Sequence, residues 1–150
     1  MGNVDTARAV GDCFNRRDWD GMRALAAEDC LWIDGRGETY NGKDGLVAYG
    51  QGWADAFSDG QVTERQYYDA GDTVVAEFVG RGTHDGSLGS IPATGKRVDL
   101  PYLEVYHFDG EGKIRSGRAY FDQLGLLSQL GVVSGVPAQA SSQAGSAPSA

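Results

Sequence analysis

The chain has 150 residues, 41% hydrophobic and 10% aromatic, enough for one domain with a sizeable core. Acidic residues outnumber basic ones 21 to 13, and the net charge of -8 repels nucleic acid and anionic lipid surfaces. No stretch approaches the ~20 apolar residues that span a bilayer, and the N-terminus MGNVDTARAV lacks the basic and apolar regions of a signal peptide, so neither a membrane nor a nucleic-acid partner is expected and the location is read as cytoplasmic.

Val4, Ala7, Val10, Gly11 and Phe14 recur at helical spacing, and Asp18 offers a cap for a second short helix within NRRDWDGMRALAAEDC. CLWIDG reads as a short strand ended by Gly35, and Leu46, Tyr49, Trp53 and Phe57 fall on one stripe of a third helix. From Val62 onward the pattern turns β-branched and aromatic. VTERQYYDA, DTVVAEFVGRGTH, KRVDLPYLEVYHFD and KIRSGRAYFD read as four strands, with hairpin loops at DAGD and DGEGK. A short leucine-rich helix, QLGLLSQLG, follows. The uncharged run SGVPAQASSQAGSAPSA then predicts a flexible tail, dividing the chain into a domain over 1–133 and a tail over 134–150. Helices first and antiparallel strands afterwards predict an α+β fold, a curved antiparallel sheet wrapped over three N-terminal helices.

The residues by themselves leave two readings of each candidate. Asp122, in YFDQLGLLSQLG, either caps the helix that follows or serves as a buried acid/base. His107 reaches a cavity in one strand register, whereas a shift by one position turns it to solvent and brings Glu104, Tyr106 and Phe108 inward. Asp34, beside Gly35, is either a turn residue or a pocket acid. Trp32, Tyr49, Trp53 and Phe57 form either ordinary core or an aromatic wall for a flat ligand. Arg81 and His84 read as rim or structural residues. Two isolated histidines and two cysteines, Cys13 and Cys30, lack the spacing of a metal site, and GRGETYNGKDG lacks that of a phosphate loop.

Three strings carry a likeness: NGKDGLVAYGQGWADAFSDG, GRGTHDGSLGSIPATGKRV and YFDQLGLLSQLG. From about Val4 to Val133 the chain resembles the SnoaL-like polyketide cyclases of the ketosteroid isomerase-like (nuclear transport factor 2-like) superfamily. The resemblance implies a cone-shaped α+β barrel, a homodimer built through the outer sheet face, and a ligand cavity between helices and sheet. It implies Asp122 as the general acid/base of an intramolecular aldol condensation, assisted by His107, with Asp34 at the position of the isomerases' base and Glu104 at that of their inward acid. The isomerases' first-helix tyrosine has no counterpart in RAVGDCF, which disfavours steroid isomerisation. The implied activity is a ring closure, without cofactor or metal, of a hydrophobic polyketide-like molecule bound by Trp32, Tyr49, Trp53, Phe57, Glu104, Arg118 and Tyr120. Epoxide opening by Asp122 and Asp34 with Arg118, or binding of a hydrophobic molecule without catalysis, are the alternatives. The orientation of Asp122, into a pocket or outward as a cap, separates them.

Overall fold

Helical and alternating patterns become ten elements in the computed structural model, which describes residues 1–134. The tail expected over 134–150 lies, except for Ser134, outside the described residues. In chain order the elements are α1 (Asn3–Arg16), α2 (Trp19–Ala24), β1 (Ala26–Ile33), β2 (Thr39–Asn41), α3 (Gly42–Ala56), β3 (Gln61–Ala70), β4 (Thr73–Thr83), β5 (Arg97–Phe108), β6 (Ile114–Phe121) and α4 (Gln123–Gln129). The α+β cone expected from the sequence is therefore present. No helix among the described residues is long and apolar enough to cross a membrane.

The helices begin and end where local chemistry dictates. Ala7, Val10 and Cys13 give α1 its buried stripe. Arg17 then adopts a left-handed φ of 59°, Asp18 N–H donates to Cys13 O at 2.8 Å, and the Asp18 carboxylate accepts from Gly21 N at 2.9 Å to start α2. Helix α2 is shorter than the alanines of ALAAEDC suggest, because Ala26 already pairs with Ile114 across β1 and β6. Burial of Ala26, Cys30 and Trp32 in a sheet outweighs the modest helix propensity of that stretch.

The six strands form one sheet in the order β2-β1-β6-β5-β4-β3. The sheet is not wholly antiparallel as expected: β1 and β6 run parallel. They lie far apart in the chain and no hairpin joins them, so nothing local imposes the antiparallel direction. Register shifts between Thr63 and Gln66 in β3, and between Ala26 and Leu31 in β1, bend the sheet, with Glu64 held at φ 49° inside the first. The sheet closes over α3, which packs on β1, and α1, which packs on β3.

Strand β5 has a clean inside and outside. Val98, Leu100, Tyr102, Tyr106 and Phe108 are buried on the inner face, and Glu104 shares their parity. Arg97, Asp99, Leu103, Val105 and His107 take the outer face. Gly117 of β6 lets the Trp32 ring lie directly on the sheet: a Cβ there would sit 2.3 Å from Trp32 Cζ3.

Candidate active site

The concave sheet face and the helices α1 and α3 enclose a cavity of about 110 Å³. Its walls are almost entirely apolar and aromatic. Among the described lining residues Glu104 is the one carboxylate, and Arg81 is the one cation. Arg81 sits at the rim, where it binds Asp99 at 2.8 Å, Thr63 Oγ1 at 3.0 Å and the Glu64 carboxylate.

Glu104 is half-buried and lines the cavity. Its Oε1 accepts a hydrogen bond from Tyr106 Oη at 2.6 Å. Burial pushes the carboxyl up to about 7 against the opposing pull of that hydrogen bond. The charged and neutral forms are thus comparably populated near neutral pH. Tyr106 stays a neutral donor, because burial first and the Glu104 charge second push its phenol well above the ordinary value.

An aromatic cluster centres on Tyr102, two residues before Glu104 on the inner face of β5. Tyr102 is stacked between Phe78 and Phe121, with both ring centroids at 5.0 Å. Trp53 meets Tyr102 and Phe121 edge-on at 5.9 and 5.5 Å. Trp32 packs against Tyr49 at 5.6 Å and Tyr106 at 5.3 Å. The hydroxyls of Tyr49 and Tyr102 are hydrogen-bonded to each other. The indole Nε1 of Trp32, buried with its ring, has no hydrogen-bond partner among the described residues.

Of the residues singled out in the sequence, Trp32, Tyr49, Trp53, Phe57 and Glu104 line this cavity together. Tyr106 and, at the rim, Arg81 join them, whereas Asp34, His107, Arg118, Tyr120 and Asp122 are not among the lining residues. Asp122 is exposed and sits at the N-terminus of α4, where its carboxylate accepts from Gly125 N at 2.9 Å. It is the outward cap. Strand β6 ends at Phe121, and the free N–H groups of the following turn draw the carboxylate to themselves while Leu126 enters the cavity wall. His107 falls on the outer face by the parity of β5, and its Nδ1 is bonded to Thr73 Oγ1 at 3.0 Å. Arg118 and Tyr120 are also on the outer face, the guanidinium 5.2 Å from the Tyr120 ring centroid. With Leu31, Ile33 and Val105 they line a separate hollow on that side.

Asp34 is buried but fully engaged. Its oxygens accept from Arg36 N at 2.8 Å, Glu38 N at 2.9 Å and the Arg36 guanidinium at 3.0 and 3.2 Å. Burial alone would raise this carboxyl, but the Arg36 bonds, the Glu38 N–H and the Arg36 charge together hold it below its usual value. Asp34 is the turn residue, and the trio Asp34, Asp122 and Arg118 needed for epoxide opening is not assembled. No group of three or more His, Cys, Asp or Glu that could hold a metal occurs among the described residues. His84 is buried against Phe57, with Nδ1 accepting from Thr94 N at 3.2 Å.

Sequence reasoning passed over Tyr102, Phe78 and Tyr67 of the cavity wall. The signal for β5 was present: at alternate positions from Val98 to Phe108 every residue is apolar or aromatic except Glu104. A lone carboxyl on such a face marks both the inner register and its exception.

The sequence matches the family model for SnoaL-like polyketide cyclases over residues 4–130. A candidate SnoaL-like polyketide cyclase from Jannaschia sp. CCS1 superimposes with a TM-score of 0.80 at 21% identity, over 87% of this chain and 92% of its own. Wild-type IdmH, a candidate polyketide cyclase from Streptomyces antibioticus, gives 0.75 at 25% identity over 87% and 99%. A protein of ketosteroid isomerase-like fold from Catenulispora acidiphila DSM 44928, solved with trimethylamine, gives 0.71 at 22% identity over 84% and 92%. A comparison with curated proteins found no match.

Proposed function

The chain belongs to the SnoaL-like polyketide cyclase family, and from that premise we propose that it closes a ring in a hydrophobic, polyketide-like molecule by an aldol-type step in which Glu104 is the acid and base. The observation that carries this reading is a single carboxyl, poised near pH 7, on the wall of an aromatic cavity.

In its charged form Glu104 removes a proton from a carbon next to a carbonyl, and the C–H electron pair moves onto the carbonyl oxygen as an enolate. The enolate carbon attacks a second carbonyl of the same molecule, forming the C–C bond. The resulting alkoxide takes the proton back from Glu104, which returns to its starting state. Tyr106 holds one carboxyl oxygen by its 2.6 Å hydrogen bond and leaves the other for the substrate. Protons flanked by carbonyls are already acidic, so one base worth roughly 10²–10⁴-fold suffices without cofactor or metal.

Hydrogen–deuterium exchange at the activated CH₂ of 2-tetralone, a flat enolisable ketone, tests the first step without knowledge of the natural substrate. Exchange catalysed by the protein is expected to fall about 10²–10⁴-fold in Glu104→Gln. Equal catalysed exchange by both proteins would exclude Glu104 as the base, and no exchange above the uncatalysed rate by either would leave a binding module without proton-transfer chemistry. A homodimer is part of the same reading. The outer hollow, with Leu31 and the half-exposed Tyr120, is where a second copy would pack, and Tyr120→Glu is expected to shift sedimentation toward the monomer.

A further inference from the structure

Strand β4 carries two glycines, Gly80 and Gly82, on the same inner face as its Val74, Ala76 and Phe78. Glycine inside a strand weakens it, because it loses the most conformational freedom on folding and brings no side chain to pack. At Gly82 the reason for it is packing: a Cβ would sit 3.1 Å from the Phe57 Cβ, the Gly60 Cα and an Asp59 carboxylate oxygen. Two further glycines of the cavity wall are closed in the same way. A Cβ at Gly60 would lie 2.9 Å from Phe57 O, and one at Gly50 would lie 3.2 Å from the Trp19 ring and 3.3 Å from the Met22 sulfur. Gly80 has no such neighbour. A Cβ there would meet only Leu100 O, at 3.9 Å, and the backbone does not take the positive φ that favours glycine. Neither packing nor backbone conformation therefore requires glycine at this position, and the space a side chain would fill opens into the cavity.

The sheet register places that space relative to the base. Glu104 pairs with Ala76 across β5 and β4, and Leu100 pairs with Gly80, so four residues, about 13 Å of strand, separate the carboxyl row from the bare position. Phe78 and Tyr102, paired and stacked, lie between them on the same wall. A flat apolar molecule with one end at Glu104 runs over these rings, and its far end rests on the backbone of Gly80. We propose that Gly80 is a specificity-determining residue: it sets the length of molecule the cavity admits, and selects a substrate that continues past the ring being closed as a flat, apolar portion. A valine, which a strand favours, would occupy that space itself. This assignment rests on the reading of the cavity as the substrate site with Glu104 as its base.

The test compares the binding of 2-tetralone with that of its linear benzo-fused homologue, which carries one more aromatic ring on the side away from the ketone. The homologue is expected to bind the native protein about tenfold tighter or better, through the extra apolar area it buries. Gly80→Val is expected to abolish that advantage and to leave the binding of 2-tetralone within about twofold, because the shorter molecule stays near Glu104. Gly80→Ala is expected to raise Tm by about 2–4 °C, as a methyl group entering open space on a compatible backbone does, whereas Gly82→Ala is expected to lower it. Glu104→Gln is expected to lose isotope exchange and keep the preference for the longer molecule. Exchange that persists in Glu104→Gln would remove the base and leave the length limit standing. A lower Tm for Gly80→Ala would make the glycine a structural one and overturn the assignment. So would the absence of a preference for the homologue in the native protein, a preference that survives in Gly80→Val, or an equal loss of both ligands in that variant.

Discussion

Replacing Glu104 with Gln keeps the size and polarity of the side chain and removes only its ionisation. The carboxyl has an ordinary value of 4.5 and stands at about 7 in the folded protein. Between those two values the folded state holds a proton that the unfolded chain has already released, so stability falls as pH rises through this window. The contribution is complete below about 4.5 and gone above about 7. At about 1.4 kcal/mol per pH unit, the swing approaches about 3 kcal/mol. The aromatic hydroxyls around the carboxyl do not interfere, because burial keeps Tyr49 and Tyr106 neutral throughout, and Asp34, held below its usual value, stays charged. Urea unfolding of both proteins from pH 5 to 8.5 measures the effect. The glutamine variant should gain on the native protein by most of that amount across the range. A difference that does not vary with pH would mean that Glu104 ionises like a solvated side chain, and the reasoning that makes it an acid/base near neutrality would fail.

The catalytic exchange rate kcat/KM should rise through about pH 7 as Glu104 loses its proton, and this limb should vanish in Glu104→Gln. Asp122→Ala should cost about 1 kcal/mol in unfolding experiments through loss of the α4 cap and leave isotope exchange within about twofold; a collapse of exchange with the fold intact would return Asp122 to the chemistry. Gly117→Ala should destabilise by about 1–3 kcal/mol, since the new methyl meets the Trp32 ring, and a neutral effect would show that Trp32 has room to move. Asp34→Asn should destabilise above the unfolded carboxylate value and become neutral in acid, because a carboxyl held low by its partners contributes only while it is charged.

Local information in the sequence was enough for the element order except the short strand β2, which the sequence reading passed over. Helical spacing at Val4, Ala7 and Val10 marked α1, Asp18 marked the start of α2, and β-branched runs ended by turn residues marked β3 to β6. The aromatic stripe of α3 and the family likeness of its flanks pointed to the cavity, and residues 4–130 match that family. The strings alone could not decide direction and depth. The parallel pairing of β1 with β6 joins segments separated by most of the chain, and no neighbouring residue encodes it. The parity of β5 sent Glu104 inward and His107 outward, a choice made by the combined burial of Val98, Leu100, Tyr102, Tyr106 and Phe108. Asp122 satisfies its helix locally, so the same residue type in the same motif ends as a cap. Glu104, an unremarkable letter in the string, gains its ionisation near neutrality only because distant strands and helices exclude water around it, and desolvation is a property of the assembled fold.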